Sequence, residues 1–264
     1  MQIPDTSIAQ VHWDVHGVPY STVFDDKYFC KDNGYEEARH VGCGGNALQE
    51  RFSGLDPAAP GTFTIIETGF GTGLDFCCAW ELWDQYAPKS WLLRFISIEL
   101  YPLPLDHLDR ALGLWPKLSA YKDELAAQYQ PIPGGISDMY FRDHRVHLTI
   151  VFDDVVLALQ RIKDDGLAGI GADAWFLDGF APSKNPRMWS SEVLDGVAAL
   201  SCAGTTFSTF TVAGVVRRGL EARGFVALKS PGHGLKRHIL TGFKKGPGYP
   251  DPSDGSVRNG EVPS

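Results

Sequence analysis

The sequence lacks most features that mark membrane, secreted and metal-binding proteins. No apolar run in its 264 residues approaches the length of a membrane span, and no basic region followed by an apolar core begins the chain. Its five cysteines are an odd number without C-x-x-C spacing, which argues against a disulfide framework and against a zinc site. With 44% apolar and 21% charged residues, we expect a cytoplasmic globular protein that holds no metal.

Positive charge is scarce overall but concentrated in one part of the chain. The formal net charge is −8, and residues 1–183 carry 13 basic and 26 acidic side chains. Residues 184–245 reverse this balance with ten basic and three acidic side chains. Such a segment is either a solvated basic face or a surface for a polyanion such as a nucleic acid.

The hydrophobic pattern divides the chain into three segments. Residues 1–60 form an N-terminal extension, in which alternation over 10–29 predicts a β-hairpin or two short strands. Between 61 and 245, strands alternate with helices, which predicts an α/β fold with a doubly wound, mostly parallel sheet and a helical insertion at 102–145. The polar residues 246–264, rich in Gly, Pro and Ser, predict a disordered tail.

Acidic side chains stand at the ends of consecutive predicted strands of the second segment. These strands are predicted at residues 63–68, 92–99, 146–152, 172–177 and 205–211. Glu99 ends the second strand, Asp154 follows the third and Asp178 follows the fourth. Ligands of open α/β sheets bind past the carboxyl ends of strands, so these three carboxylates fit a nucleoside laid across the sheet. Helix capping is the alternative role of Asp154.

The turn Gly69–Gly73 reads G-x-G-x-G and follows the first of these strands. Glycines let a backbone approach a ligand closely, and the N-terminus of the next helix favours an anionic group. With Glu67 before it, the turn suits S-adenosylmethionine, although a purely structural turn has the same pattern. The spacing does not match the G-x-G-x-x-G of dinucleotide sites, which disfavours an NAD-dependent dehydrogenase.

The loop after the fourth strand contains the residues best suited to chemistry. Asp178 is either an ordinary turn aspartate or a carboxylate that orients a substrate amine and assists loss of its proton. Phe180 is either core filling or a platform on which an extruded base stacks.

Several motifs together resemble one family over roughly residues 10–245. It is the methyltransferase domain of the tRNA 5-methylaminomethyl-2-thiouridine biosynthesis bifunctional protein, together with its stand-alone relatives. The matching stretches are Glu67–Phe76 (ETGFGTGLDF), Ser97–Leu103 (SIELYPL), Asp173–Trp189 (DAWFLDGFAPSKNPRMW), Ser208–Leu220 (STFTVAGVVRRGL) and, more weakly, Gly232–Leu240 (GHGLKRHIL).

The resemblance implies a Rossmann-like class I S-adenosylmethionine-dependent methyltransferase. Its substrate would be 5-aminomethyl-2-thiouridine in the anticodon loop of tRNA, at the wobble position. In the bifunctional protein an FAD-dependent oxidase domain follows, and we expect this chain to lack it and to depend on a separate oxidase partner for the aminomethyl substrate.

The resemblance also implies roles for individual residues. Asp178 is the expected catalytic residue. The expected cofactor contacts are Glu67, Gly69, Phe70, Gly71, Thr72, Gly73, Glu99, Leu100, Asp154 and Asp178. The expected substrate contacts are Phe180, Pro182, Lys184, Asn185 and Trp189. The expected tRNA-backbone contacts are Arg217, Arg218, Lys236 and Arg237.

This chain departs from the family pattern at a few positions. His233, Leu235 and His238 replace other residues in the late motif, Arg187 stands where an acidic residue is usual, and Leu100 where a basic one is frequent. These changes leave open a different RNA or a small amine as substrate. A non-catalytic nucleotide- or RNA-binding module is the remaining alternative.

Overall fold

The computed structural model describes residues 7–30, 34–234, 237–247 and 249. The strands are β1 (Val11–Trp13), β2 (Pro19–Ser21), β3 (Asp26–Lys27), β4 (Thr62–Thr68), β5 (Leu92–Ile98), β6 (Ile136–Phe141), β7 (Val146–Val151), β8 (Ala172–Phe176), β9 (Ser201–Thr209), β10 (Phe225–Pro231) and β11 (His238–Lys244). The α-helices are α1 (Gly34–Ala38), α2 (Leu48–Ser53), α3 (Leu74–Tyr86), α4 (Leu105–Leu112), α5 (Ser119–Gln128), α6 (Val155–Asp164), α7 (Ser191–Ala199) and α8 (Gly214–Glu221). A π-helix at Arg39–Gly44 and 3₁₀-helices at Pro116–Leu118 and Pro186–Trp189 complete the helical elements of this part of the chain.

Eight strands form one mixed sheet in the order β10-β11-β9-β8-β4-β5-β7-β6. The five central strands, from β9 to β7 in this order, are parallel to one another. The edge strand β6 and the strand β11 pair antiparallel with their neighbours. Strands β1, β2 and β3 form a separate small antiparallel sheet. The predicted α/β class, with a mostly parallel sheet and a small N-terminal β element, is confirmed.

The sheet separates two apolar layers because its central strands are buried on both faces. In β4, Ile65 packs in one layer and the next residue, Ile66, packs in the other. The first layer includes Trp80 of α3, and the second includes Leu159 of α6. Full burial of one such large apolar side chain contributes about 1.5–3 kcal/mol, so both layers stabilise the sheet.

The residues before β4 are anchored to the sheet by buried polar contacts. The amide group of Asn46, which is 1% exposed, donates hydrogen bonds to the carbonyl oxygens of Gly42 and Trp175 and to the hydroxyl of Ser208. The guanidinium of Arg51 donates to the carbonyl oxygen of Asp173 in β8. Apart from the bond to Gly42, these bonds connect the N-terminal segment to strands more than 120 residues further along the chain.

The observed elements follow the hydrophobic pattern closely, with differences at their ends. Strand β9 begins at Ser201, four residues before its predicted start, and the helical segment after residue 34 continues as a π-helix to Gly44. The predicted disordered tail lies outside the described residues except for 246, 247 and 249, and the proposed segment boundaries stay predictions. Among the described helices, none has the length and apolarity needed to cross a membrane.

Candidate active site

The carboxyl ends of the central strands open into a cavity of about 740 Å³. This volume falls in the range of small-molecule and cofactor sites. The predicted site residues that line the cavity are Gly69, Phe70, Gly71, Thr72, Glu99, Leu100, Asp154, Asp178, Phe180 and Asn185. Glu67, Gly73, Pro182, Lys184 and Trp189 are not among its lining residues.

The glycine turn after β4 adopts backbone conformations that only glycine reaches without strain. Gly69, Gly71 and Gly73 have φ values of +114°, +54° and +76°. A Cβ at Gly69 would lie 3.4 Å from the carbonyl oxygen of Asp178, which is close to ordinary van der Waals contact, so the positive φ is what requires glycine at this position. Gly73 also has a structural role, because a Cβ at this position would lie 2.9 Å from the ring of Phe70. The turn thus leaves space beside the N-terminus of α3, where an anionic group is favoured.

Glu99 follows β5 and is oriented by backbone donors. Its Oε2 accepts a hydrogen bond from the N–H of Gly71 at 2.8 Å, and its Oε1 accepts one from the N–H of Tyr101 at 2.9 Å. Burial raises the pKa of Glu99 to about 7, although these backbone donors oppose the shift. Each carboxylate oxygen retains a further lone pair, so the ionised side chain can accept hydrogen bonds from a pair of ligand hydroxyl groups.

Asp178 comes two residues after β8 and begins the loop that closes one side of the cavity. Its carbonyl oxygen accepts a hydrogen bond from the hydroxyl of Thr68 at 2.9 Å, and Gly179 follows with a φ of +138°. Asp75, the second residue of α3, lines the same cavity, and burial together with the charge of Asp178 raises the pKa of Asp75 well above its usual value. Sequence reasoning missed Asp75, whose only signal was its position just after the glycine turn.

Glu67 lies in β4 and is not among the residues that line the cavity. It is 1% exposed and accepts a hydrogen bond from the hydroxyl of Ser97 at 2.5 Å. Burial and the neighbouring Asp75 raise the pKa of Glu67 well above its usual value. The geometry therefore favours a supporting position for Glu67 over a direct contact with a ligand.

Asp154 has two partners in this structure. Its Oδ1 accepts the N–H of Val156 at 3.1 Å and so caps α6. Arg187 donates two hydrogen bonds to the same carboxylate, at 2.6 Å and 2.7 Å. Asp154 is 1% exposed, whereas a quarter of the Arg187 side chain is exposed. Both Asp154 and Arg187 line the cavity, so a ligand on this side meets an ion pair and not an isolated carboxylate.

The predicted substrate loop contacts the N-terminal hairpin. Phe180 stacks on Phe24 with ring centroids 4.7 Å apart, and Tyr28 approaches Phe180 edge-on at 5.3 Å. Two rings that stack on each other leave no space for a base between them. The indole N–H of Trp189 donates a hydrogen bond to the carbonyl oxygen of Phe180 at 3.0 Å. Trp189 therefore supports the loop without lining the cavity. The sequence did not predict the contact of Phe24 and Tyr28 with this loop, because the hairpin lies about 150 residues before it.

The other predicted substrate and RNA contacts lie around this loop or on α8. Lys184 forms an ion pair with Asp25 at 2.5 Å. Pro182 and Arg237 line a second, smaller cavity of about 360 Å³. The exposed residues Arg217 and Arg218 lie on α8, where Arg217 is paired with Glu221. Lys236 lies outside the described residues.

The donor set of the cavity suits an organic cofactor. In the described part of the chain, no group of three or more His, Cys, Asp or Glu side chains is arranged to hold a metal ion. The open glycine turn and the paired acceptor oxygens of Glu99 fit an aminoacyl chain and a ribose, respectively.

Comparison with known proteins agrees with this geometry. A family model described as S-adenosyl-L-methionine-dependent methyltransferase matches residues 116–245. The crystal structure of MNMC2 from Aquifex aeolicus superposes with a TM-score of 0.66 at 18% identity, covering 92% of this chain and 72% of that one. The chain thus has the fold of an S-adenosyl-L-methionine-dependent methyltransferase, and the predicted cofactor class is confirmed.

Relatives that are more similar to this chain in sequence share a more specific name. The tRNA 5-methylaminomethyl-2-thiouridine biosynthesis bifunctional protein MnmC of Methylobacillus flagellatus is 48% identical over 92% of this chain. The protein of the same name from Chromobacterium violaceum is 46% identical over 90% of this chain. The chain spans 36% and 34% of the lengths of these two relatives. The predicted resemblance to the methyltransferase part of this bifunctional protein is confirmed.

Proposed function

We propose that this protein methylates the exocyclic amine of 5-aminomethyl-2-thiouridine at the wobble position of tRNA, giving 5-methylaminomethyl-2-thiouridine. The observation that carries the proposal is the meeting of Asp178, Glu99 and the glycine turn in one cavity. The relatives named for 5-methylaminomethyl-2-thiouridine biosynthesis support the choice of substrate.

The cofactor fits the inner part of the cavity. Gly69, Gly71 and the N-terminus of α3 would hold its methionine end, and Glu99 its ribose hydroxyls. Asp154 or the Arg187 side chain bound to it would border the adenine. When bound, S-adenosyl-L-methionine supplies an electrophilic methyl group for attack by a nitrogen lone pair.

Asp178 would make the lone pair of the substrate nitrogen available for this attack. An alkylamine is mostly protonated at neutral pH, and its ammonium form has no lone pair to offer. A carboxylate within hydrogen-bond reach orients the nitrogen and accepts one of its protons. Phe180 would carry the extruded base, which takes the place that Phe24 occupies in this structure.

The basic part of the chain would hold the RNA. Arg217 and Arg218 are exposed on α8, and Arg237 lies at the second cavity beside Pro182 of the substrate loop. Contacts of such residues with phosphate groups bring affinity without sequence specificity. The reaction would take place in the cytoplasm, and an oxidase activity, in this or another polypeptide, would supply the aminomethyl group.

The test is methylation of tRNA that carries 5-aminomethyl-2-thiouridine, using labelled cofactor and nucleoside analysis. The variant Asp178→Asn should lose at least about 100-fold in kcat, the usual range for a general base, while its cofactor affinity changes little. Asp106→Asn is the matched control, because the Asp106 side chain is 82% exposed. Full activity of Asp178→Asn would refute the role given to Asp178, and absence of wild-type methylation would refute the function.

A second candidate is methylation of another RNA or of a small amine. It is favoured by His233, a departure from the family pattern that lies in the lining of the main cavity. The ring of His233 lies 5.6 Å from that of His40. Methylation of an unrelated amine with tRNA left unmodified would support this alternative.

A further inference from the structure

The proposed function places a phosphate contact at Arg237 but leaves the second cavity itself, of about 360 Å³, unassigned. This volume is within the range of small-ligand sites. Ala181 of the substrate loop and Phe210 line both the main and the second cavity, so the two cavities share a wall. A chain-like ligand that enters the main cavity can therefore continue into the second one.

The second cavity lies past the carboxyl end of β9, the parallel neighbour of β8. Strand β9 ends at Thr209, and the lining residues 210–213 connect it to α8. Strand β11 runs antiparallel to β9 with Leu240 opposite Thr209, so the residues at the start of β11 lie beside this connection and bring Arg237 to the cavity. The ligand-binding edge of the sheet thus extends from the main cavity by one further strand.

The second cavity combines apolar surface with positive charge. Pro182 and the exposed Val212 supply apolar surface, and the exposed Arg237 supplies a cation. The guanidinium of Arg218 reaches back to the first residue of α8, since a Cβ added to Gly214 would lie 2.8 Å from its Nη1. An apolar surface bordered by guanidinium groups fits a nucleotide, because the faces of a base are apolar and its phosphate is anionic.

The polar groups of the connection after β9 are engaged within it. The N–H of Thr211 donates to the hydroxyl of Thr209, and the hydroxyl of Thr211 accepts the N–H of Ala213, both at 3.3 Å. These groups are therefore not offered to the edge of a base. The cavity favours a base that packs through its face, which makes binding tolerant of base identity.

We propose that the second cavity is a subsite for the nucleotide next to the wobble uridine in the anticodon loop. The base of this nucleotide packs against Pro182 and Val212, and the cations Arg237 and Arg218 hold the adjoining phosphate groups. The proposal rests on the proposed function. Occupation of the subsite holds the RNA while the uridine is turned into the main cavity. It also selects single-stranded loops, because a neighbour that is paired and stacked in a helix cannot enter.

The experiment is a double-mutant cycle between protein and RNA, measured by fluorescence anisotropy. The RNA is a labelled anticodon stem-loop with 5-aminomethyl-2-thiouridine at the wobble position, in which an abasic residue replaces the base on either the 5′ or the 3′ side. For the wild type, we expect the Kd to rise about tenfold for one of these two positions. For Val212→Glu, the Kd of the intact stem-loop should rise at least about tenfold. Removal of the same base should then change that Kd less than about twofold, because its contact is already lost.

Ile170→Glu is the matched control, because Ile170 is 97% exposed and precedes β8 at the opposite end of the sheet. This control should retain the full effect of the abasic residue. Arg237→Gln should reduce the slope of log K against log salt concentration by about 0.7, the value of one phosphate contact with a single strand. Lys89→Gln makes the same change of charge at an exposed residue before β5 and should leave the slope unchanged.

An abasic effect below about twofold at both positions, or an abasic effect that persists in Val212→Glu, would overturn the subsite. The proposed function would stand in that case if the wild type methylates tRNA. If the wild type does not methylate tRNA, the proposed function fails, and the cycle still decides on the subsite because it measures binding alone. An unchanged salt slope in Arg237→Gln would overturn the phosphate contact. If Val212→Glu does not fold, Val212→Ser replaces it in the cycle.

Discussion

Glu99 has a pKa near neutrality, which makes cofactor binding sensitive to pH in the physiological range. Its pKa of about 7 results from burial, offset in part by backbone donors including the N–H groups of Gly71 and Tyr101. Only the ionised carboxylate offers all its lone pairs to ribose hydroxyls, since the protonated form turns one oxygen into a donor. Binding should therefore weaken as pH falls through about 7.

The size of the effect follows from the ionised fraction of Glu99. With this pKa, about one molecule in eleven is ionised at pH 6 and about ten in eleven at pH 8, so the apparent Kd should be about tenfold higher at pH 6. This corresponds to about 1.4 kcal/mol of binding free energy. At pH 6, binding should also release close to one proton for each cofactor bound, because Glu99 must ionise.

Isothermal titration calorimetry with S-adenosyl-L-methionine measures both quantities, when it is repeated in buffers of different ionisation enthalpy. The matched variant is Glu99→Gln, which keeps the shape of the side chain but does not titrate. It should bind more weakly than the wild type at pH 8 and lose most of the pH dependence. If the wild-type Kd is the same at pH 6 and pH 8, or if Glu99→Gln shows the full wild-type dependence, the reasoning about Glu99 is wrong.

Three stability predictions can be checked together by chemical denaturation followed by circular dichroism. Gly242→Ala should destabilise the fold by about 3 kcal/mol or more, because the added Cβ would lie 1.8 Å from the carbonyl oxygen of Val226. An unchanged midpoint would contradict the observed pairing of β10 with β11. Arg187→Met should cost about 3 kcal/mol, since it leaves the carboxylate of Asp154 buried without its cation. Lys184→Met removes an exposed ion pair and should cost less than about 1 kcal/mol, so an equal loss in both variants would argue against this account.

The fold was predictable because its signals are local. A five- to seven-residue apolar strand, a turn and an amphipathic helix recur along the chain, and the parallel sheet follows from that alternation. Glu99 and Asp178 were also predictable. The first residues after a parallel strand lie at the ligand-binding edge of the sheet, independently of the order of the other strands. Both line the observed cavity.

The parts that could not be predicted depend on contacts between distant residues. Phe24 stacks on Phe180, and Asp75 lines the same cavity as Asp178, yet each pair is separated by more than 100 residues in the sequence. Hydrophobic periodicity describes which face of an element is buried but not which side chains meet across two elements. Arg187 illustrates the same limit, since its pairing with Asp154 is visible only once the loop after β8 has folded over α6.

The three hydrogen bonds of Asn46 constrain the order in which this chain acquires its structure during synthesis. The acceptors lie in the π-helix, in β8 and in β9, and the last of them, Ser208, is translated 162 residues after Asn46. The central strand β4 likewise pairs with β8, which is synthesised about 110 residues later. A nascent chain therefore cannot complete its N-terminal part first, as many proteins do on the ribosome. We therefore expect the N-terminal segment to become ordered only after β9 is synthesised, so translation arrest before β9 should leave a chain without a formed cavity.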